Sequence, residues 1–364
     1  MKNIHWVYAL HSIKGLAGSF IGVFIPIYFL SLGFSVRQIF TFWLIYGLCL
    51  AVFSLIAALL STKVGFKPII ICALILQFIV LYLLRVLTFN QFSLYILAVC
   101  VGLQAAFYWL PINYLFTIES DEKKMGDNTS KLMFIPKIFR LPVPLVSSVI
   151  VVTFGFNSLF MVSGFIYLLC LYPLYRLPDI RPQFGFKYST FRNLYSRYRR
   201  YYWAEFLENI REEFEGIIIP IFVFLTIKSI ISVGVISTLA PAGSILFTYL
   251  IGKISDSANK KYLIRFGAIV MIIVWLSRYL WPSSTVFYAT TFIIGFIEVL
   301  VLIPFSSIIY TTAKKENTLE FLLFRESSVG AARIVVYLIA IILANNLLTT
   351  FLIPAAALGL FMIY

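Results

Sequence analysis

The chain has 364 residues, 61% of them hydrophobic and 12% charged, with a mean hydropathy of +0.97 and a formal net charge of +14. A water-soluble protein of this length cannot hide so much apolar surface, and its charge content would be about twice as high, near ~25%. The excess of Lys and Arg does not mark a nucleic-acid binder, because these residues lie mainly between the apolar runs, where the positive-inside rule places them.

Apolar runs near the ~20 residues needed to span ~30 Å of hydrocarbon recur from Ile4 onward. Backbone groups in lipid must be satisfied within a helix or a closed barrel. These runs are too long and too continuous for alternating barrel strands of ~10 residues. The expected fold class is an all-α polytopic membrane protein. Cys49, Cys72, Cys100 and Cys170 lie inside apolar runs without metal-motif spacing and read as small hydrophobes. The first run has no small-residue cleavage site and reads as a retained span.

In chain order, predicted span 1 covers about Ile4–Leu30 and contains Lys14, Gly15, Gly18 and Gly22. Span 2 covers about Val36–Leu60, and a basic link, STKVGFKP, leads to span 3 at Ile69–Leu87. Span 4, Phe92–Ile118, carries Gln104, Tyr108, Trp109, Pro111 and Asn113. A charged segment, Glu119–Lys131, precedes span 5 at Leu132–Thr153, which carries Lys137 and Arg140. A turn at Phe154–Asn157 leads to span 6, Ser158–Tyr175.

Arg176–Trp203 is polar, basic and rich in tyrosine, and reads as a linker with an amphipathic surface piece. Glu205–Glu215 reads as an acidic lead-in to span 7, placed to complement the helix dipole. Span 7 ends near Leu225. Span 8 covers Ile230–Ile251, span 9 Tyr262–Leu280, span 10 Thr285–Tyr310, span 11 Glu320–Leu343 and span 12 Leu348–Tyr364. The expected organisation is a six-helix bundle over residues 1–176, a basic cytoplasmic linker over 177–204 and a second six-helix bundle over 205–364. Lys63, Lys67, Lys123, Lys124, Lys260, Lys261, Lys314 and Lys315 fall on the linker side, so both termini are expected in the cytoplasm.

An internal duplication supports this division. GVFIPIYF at Gly22–Phe29 recurs as GIIIPIFV at Gly216–Val223, a spacing of 194 residues. Arg85 aligns with Arg278, Gly102 with Gly295 and Pro111 with Pro304, each at a spacing of 193. Two copies of six spans enter from the same side, the parallel-repeat arrangement of alternating-access carriers.

With these features on the page, the chain resembles a major facilitator superfamily (MFS) transporter over essentially its whole length, in a compact form with short loops. The superfamily pattern G-x-x-x-D-R-x-G-R-K falls between spans 2 and 3 as Ala58, Thr62, Lys63, Gly65, Phe66 and Lys67. Between spans 8 and 9 it keeps Gly252, Asp256 and Lys261, with Asn259 where glycine is usual. FRESSVGAAR, with Arg325, Glu326 and Arg333, resembles a charged pattern at the cytoplasmic end of span 11. The resemblance implies gating roles for Thr62, Lys63, Gly65, Lys67, Gly252, Asp256, Lys261, Arg325, Glu326 and Arg333. Thr62 carries no charge, so the first gate is either weaker or completed by another acid such as Glu119. Arg325, Glu326 and Arg333 are expected to link to Asp256 across the second gate, or Arg325 and Glu326 to form a local surface pair.

The resemblance also implies that spans 1, 4, 7 and 10 line a central cavity. Glu298 lies mid-span, where a bare charge costs at least ~2.5 kcal/mol. Its two readings are a proton-coupling or cation-binding acid and a structural ion pair. Lys14 either lines the cavity and pairs with Glu208 or Glu298, or snorkels to the surface. Gln104, Tyr108, Trp109 and Asn113 follow helical spacing and are candidate coupling or substrate-binding residues. Pro26, Pro111, Pro220 and Pro304 are expected to interrupt the central helices and permit bending.

The resulting expectation is a secondary active transporter, an antiporter exporting amphiphilic or cationic compounds in exchange for protons. Proton-coupled nutrient uptake and a non-transporting receptor are the alternatives. The cavity is expected to be aromatic and apolar, with one acid and little fixed positive charge. A channel would need polar pore rings, and an embedded enzyme clustered titratable groups, so no enzymatic activity is expected. The expected partners are the lipid bilayer, a small-molecule substrate and protons, with no cofactor, no metal and no nucleic acid. The protein is expected to be a monomer in a prokaryotic cytoplasmic membrane.

Overall fold

The computed structural model describes residues 3–87, 91–251 and 260–361, and every regular element among them is helical. The chain opens with α1 (Asn3–Ile21), a 3-10 turn at Gly22–Phe24 and α2 (Ile25–Ser31). A capping box starts α3 (Val36–Val64): Ser35 Oγ accepts from the Gln38 amide at 3.3 Å, and Gln38 Oε1 accepts from the Ser35 amide at 2.8 Å. Next come α4 (Phe66–Val86), α5 (Gln91–Glu119), α6 (Met125–Arg140), α7 (Val143–Leu168) and α8 (Leu171–Arg176). Within α7, Gly155 takes φ 78° and ψ 171° and breaks the helix, at the turn expected over 154–157.

The second half begins with α9 (Tyr188–Glu213), kinked at Tyr198. It passes through a π-helical turn at Phe214–Ile218 into α10 (Ile219–Ile227). Then follow α11 (Ile230–Ile251), α12 (Lys260–Leu280), α13 (Ser284–Lys315) and α14 (Thr318–Ile342), with a 3-10 turn at Leu347–Phe351 and α15 (Leu352–Phe361). Seven helical stretches among the described residues are long and apolar enough to cross a membrane. The other long helices, α9, α12 and α14, carry several charged residues each. Large apolar side chains such as Val52, Ile75, Phe165 and Ile273 point outward and are exposed, as a lipid-facing surface requires.

The two Gly-x-x-x-Pro copies are where the first and seventh predicted spans leave α-helical geometry. Proline has no N–H, so Gly22 and Gly216 each lose the donor four residues on. The first copy responds by tightening to a 3-10 turn and the second by widening to a π turn. Pro111 and Pro304 do not interrupt their helices, which corrects the expectation for these two positions: α5 and α13 run through them as ladders of 29 and 32 residues.

The duplicated glycines have matching jobs. Gly102 brings α5 against α3, where a Cβ would come within 2.9 Å of the Tyr46 carbonyl oxygen. Gly295 brings α13 against α11, where a Cβ would overlap the backbone of Ala240. The two halves of the chain meet along α3 with α14 and α7 with α11. Small residues set these seams: Gly330 packs on Ala51, and Gly234 on Ser148 and the Pro144 carbonyl. The halves also touch at both ends of the bundle. At one end α2 meets α10, and at the other α13 meets α5 and α6.

Gly102→Val and Gly295→Val are expected to lower stability by about 1–3 kcal/mol or more through overpacking. Gly22→Ala and Gly216→Ala, where a Cβ meets nothing within 4 Å, are expected to leave it nearly unchanged. Thermal unfolding of the purified protein in detergent separates the two pairs.

Candidate functional site

The acidic stretch of α9 and the turn after it organise the interior. Glu205, Glu208, Glu212 and Glu215 are spaced by three, four and three residues, so they share one helical face. That face turns into the bundle. Glu205 and Glu208 are buried. Two cavities of ≈ 220 and ≈ 240 Å³ lie against it, and Glu212 lines both. The first is walled by Trp109 and Asn113 of α5, Phe305 and Tyr310 of α13 and the charged face of α14. The second reaches Val23 beside the 3-10 turn, Gly216 in the π turn, and Glu298.

Charge inside an apolar bundle must be compensated, because burying an ion costs several kcal/mol. Most of it is. Arg211 donates twice to Glu208 Oε1, at 2.9 and 2.5 Å. Arg325 bridges Glu205 at 2.5 Å and Glu326 at 3.2 Å. Arg333 donates to Glu213 at 2.6 Å and to the Tyr46 hydroxyl at 3.2 Å, while Tyr337 donates to the other oxygen of Glu213. Arg278, fully buried, donates to Glu215 at 2.5 Å and to the Thr290 and Thr291 hydroxyls, and lies over the Trp275 ring.

The first half supplies the opposite sign. Its only acids before the linker are Glu119, Asp121, Glu122 and Asp127, at the last residue of α5, in the segment after it, or in the first turn of α6. Its interior groups are His11, Lys14, Lys137 and Arg140. Lys137 Nζ reaches Glu298 at 3.5 Å and Ser244 Oγ at 3.1 Å, an ion pair that joins the two halves. Lys14 and Arg140 have no carboxylate partner among the described residues. Lys14 Nζ instead lies 4.3 Å from the Tyr108 ring centre and 4.7 Å from that of Trp109. Arg140 packs on Gly15, beside Lys14.

These placements sort the candidates. Glu298 faces the interior and is paired with Lys137. The expected pairing of Lys14 with Glu208 or Glu298 does not occur, because Arg211 and Lys137 hold those carboxylates. Trp109 and Asn113 line the first cavity, and Asn113 accepts from Tyr310 at 3.0 Å and donates to Glu326 at 3.4 Å. Tyr108 is fully buried behind the wall and shares a 3.2 Å hydrogen bond with His11, and Gln104 is buried away from both cavities. Arg325, Glu326 and Arg333 are neither a surface pair nor a surface latch: they line the first cavity. Gly252 and Asp256 lie outside the described residues, and of Lys261 only the helical backbone is described.

The expectation of an apolar cavity with one acid is corrected. The wall carries several carboxylates and arginines, because the acidic stretch is mid-helix and inside the bundle, not a helix start at its surface. Reading α9 on a helical wheel exposes the Glu205–Glu215 face. Nothing local marks Lys137 and Arg140 as facing it.

The loop between α3 and α4 shows a further substitution. Thr62 donates to the Leu59 carbonyl of its own helix, and Lys63 is exposed. Glu119 accepts from Asn3 at 3.0 Å, away from this loop. The acid that arrives is Asp179, from the linker. Its Oδ1 accepts from the Lys67 amide at 3.4 Å at the start of α4, and the Phe66 amide donates to the Ile180 carbonyl at 3.0 Å. Lys67 Nζ caps the end of α8 through the Tyr175 and Leu177 carbonyls, at 2.7 and 3.2 Å. Gly65, at φ 86°, leaves the space that the Asp179 carboxylate fills. Farther on, the linker joins the second half: Arg197 pairs with Glu316 at 2.9 Å and Tyr198 donates to it at 2.5 Å.

Comparison with known proteins places this architecture. The sequence profile described as Major Facilitator Superfamily matches residues 7–190. No curated protein sequence matches. Among solved structures, the human organic anion transporter MFSD10 (TETRAN) superposes with a TM-score of 0.73 at 10% identity, covering 100% of this chain and 98% of that chain. A bacterial homologue of the iron transporter ferroportin, outward-facing with soaked iron, gives 0.71 at 12% identity, covering 100% and 98%. A structure described as a bacterial homologue of ferroportin in the outward-facing state gives 0.70 at 11%, covering 100% and 98%. Identities this low establish a shared fold and nothing about cargo.

Removing one partner of a buried pair leaves its carboxylate bare, at about 3–5 kcal/mol. Arg333→Ala is therefore expected to destabilise strongly, and Arg333→Lys less, by thermal unfolding. Asp179→Ala and Gly65→Ala are expected to release the linker and speed tryptic cleavage at the exposed Lys187, while Glu119→Gln leaves the rate as it is.

Proposed function

Because the chain belongs to the Major Facilitator Superfamily, we propose that it is a secondary active transporter that exchanges protons for a small organic solute bearing an anionic group. Membrane transport follows from the family and the fold; cargo, coupling and direction are our reading. The working arrangement we assign is twelve spans in two six-helix halves, residues 1–176 and 205–364, with both termini cytoplasmic and residues 177–204 linking them. The halves rock about the central cavities, and the small-residue seams of α3 with α14 and α7 with α11 are the surfaces on which they move.

The anionic cargo rests on one observation above all. Lys14 and Arg140 sit side by side in the interior with no carboxylate partner among the described residues, and a neighbouring pair of like charges at low dielectric calls for an anion. The expected cationic cargo rested on a cavity with little positive charge, and that premise no longer holds. The human neighbour described as an organic anion transporter agrees with the reading but does not carry it.

The coupling site we assign is Glu298. Its pair with Lys137 crosses between the halves, so a proton on Glu298 removes an attraction that holds them together. That makes proton binding and rocking two sides of one equilibrium.

Cells expressing the protein test both assignments with carboxyfluorescein as the anion and ethidium as the cation, with and without an uncoupler. Uncoupler-sensitive movement of the anion is expected, abolished by Glu298→Gln at normal expression. Arg140→Gln is expected to weaken apparent affinity by about 10- to 100-fold, the loss of one charge-assisted hydrogen bond of about 1.5–3 kcal/mol. Movement of ethidium alone would return the cargo to the cationic class. Movement that survives Glu298→Gln would make Glu298 a structural partner of Lys137.

A further inference from the structure

The two cavities lie end to end along the bundle. On α13 the first is lined by Leu302, Phe305 and Tyr310, nearer the basic end of the helix, and the second by Thr291, Ile294 and Glu298. At ~1.5 Å per residue the two sets are centred roughly 17 Å apart along the helix. The other central elements keep the same order: His11 lines the first cavity and Val23 the second, Glu205 the first and Pro220 the second. Among the described residues only Glu212 lines both. It stands on the acidic face inside the bundle, yet it is exposed.

The other carboxylates of the cavity walls are held by cations, and Glu212 is not. Arg325 holds Glu205 and Glu326, Arg211 holds Glu208, Arg278 holds Glu215 and Lys137 holds Glu298. Arg333, which faces the first cavity, is held by Glu213, and His11 shares its hydrogen bond with Tyr108. Glu212 forms no ion pair and no hydrogen bond among the described residues. A proton placed on a held carboxylate takes the charge from an ion pair and leaves a buried cation behind. A proton placed on Glu212 breaks no pair.

Glu298, the coupling acid assigned above, lines only the second cavity. A proton that enters or leaves by the first cavity therefore passes Glu212 on its way. At ≈ 220 and ≈ 240 Å³, with carboxylates in their walls, both cavities are large and polar enough for several waters. Ionisable residues inside a membrane bundle mark proton routes of this kind. We propose that Glu212 is a proton relay, passing protons between water in the first cavity and Glu298 in the second. This rests on the proton-coupled reading above and adds the route to its coupling site. Each step makes one O–H bond and breaks another, and Glu212 ends as the carboxylate it began as. The proton is the one exchanged for the solute. The two acids divide the work: Glu212 exchanges protons without unpairing anything, and Glu298 does so by releasing Lys137 and the contact between the halves.

The test uses the purified full chain in liposomes and whichever of carboxyfluorescein and ethidium the native protein moves. Two rates are measured: movement driven by a pH gradient, and exchange of radiolabelled for unlabelled probe at equal pH on both sides. Glu212→Gln is expected to slow pH-driven movement by on the order of 100-fold, the scale of a positioned proton-transfer group. Exchange, which needs no net proton transfer, is expected to continue. Glu212→Asp is expected to restore pH-driven movement. A second measurement needs no cargo and no variant. Dicyclohexylcarbodiimide, an apolar reagent that adds to protonated carboxyl groups, is expected to label Glu212 of the native protein more readily than the paired Glu205, with a yield that falls as the pH is raised. Mass spectrometry locates the adduct.

Movement driven by the pH gradient that survives Glu212→Gln overturns the relay and leaves Glu298 as the coupling acid. Loss of exchange together with pH-driven movement, in a variant that unfolds at the native temperature, makes Glu212 a solute contact and overturns the relay. Coupling that survives Glu298→Gln, or a native protein that moves neither probe or moves it without help from a pH gradient, overturns the coupling reading and the relay with it. Absence of an adduct at Glu212 at every pH overturns the relay whatever the cargo, and this holds even if the variants fail to fold.

Discussion

The structure depends on one constraint: charges placed inside an apolar bundle must find partners, and in this chain the two signs come from different halves. Every interior carboxylate described, from Glu205 to Glu326, belongs to the second half. That half neutralises most of them itself, through Arg211, Arg278, Arg325 and Arg333. The pairs are expensive to desolvate and weak evidence of stability. Their effect is to hold α9, α12, α13 and α14 in one arrangement around the cavities. What the second half leaves over is Glu212, which lines both cavities, and Glu298. Of these two, Glu298 meets a cation of the first half, Lys137. Among the described residues the halves are joined in the interior by one ion pair, by hydrogen bonds of Asn113 with Tyr310 and Glu326 and of Arg333 with Tyr46, and by small-residue packing.

Duplication explains the frame and divergence explains the site. Gly102 and Gly295 do the same work in the two copies, bringing one central helix against its neighbour. The Gly-x-x-x-Pro copies both leave the α-helix, yet in opposite senses, one wound tighter and one looser. Arg278 is fully buried in a net of four partners, whereas its repeat mate Arg85 is exposed at the end of α4. Acid appears at Glu208 where the first copy has Lys14. A symmetric scaffold has become an asymmetric cavity, whose charged lining comes from the second half.

The linker belongs to this design more closely than its composition suggests. It begins by clipping onto the first half, with Asp179 in the hollow left by Gly65, and ends as the first turns of α9. Its aromatic face, Phe191 with Phe324 and Tyr198 with Phe321, packs on α14. Both halves are held by one segment at the basic end of the bundle. The short stretch between Ile180 and Tyr188 has no regular structure and is the part that must bend if the halves rock.

Much of this was legible without coordinates. Hydropathy and run length determine a helical membrane protein, since the backbone in lipid must close its hydrogen bonds in a helix or a barrel and these runs are too long and continuous for barrel strands. The nearly constant offset, 194 residues between Gly22 and Gly216 and 193 between Gly102 and Gly295, points to a duplicated bundle, because a spacing kept to within one residue over so many helices implies the same topology. The mid-span position of Glu298 determines that it faces inward. Tertiary structure alone decided which charges meet. Whether Glu208 takes Lys14 or Arg211, whether Glu298 takes Lys14 or Lys137, and whether Asp179 or Glu119 reaches the first loop depend on helix rotation and crossing, which set distances to a few ångströms. Periodicity specifies the face of a helix, and an ion pair needs the neighbour as well.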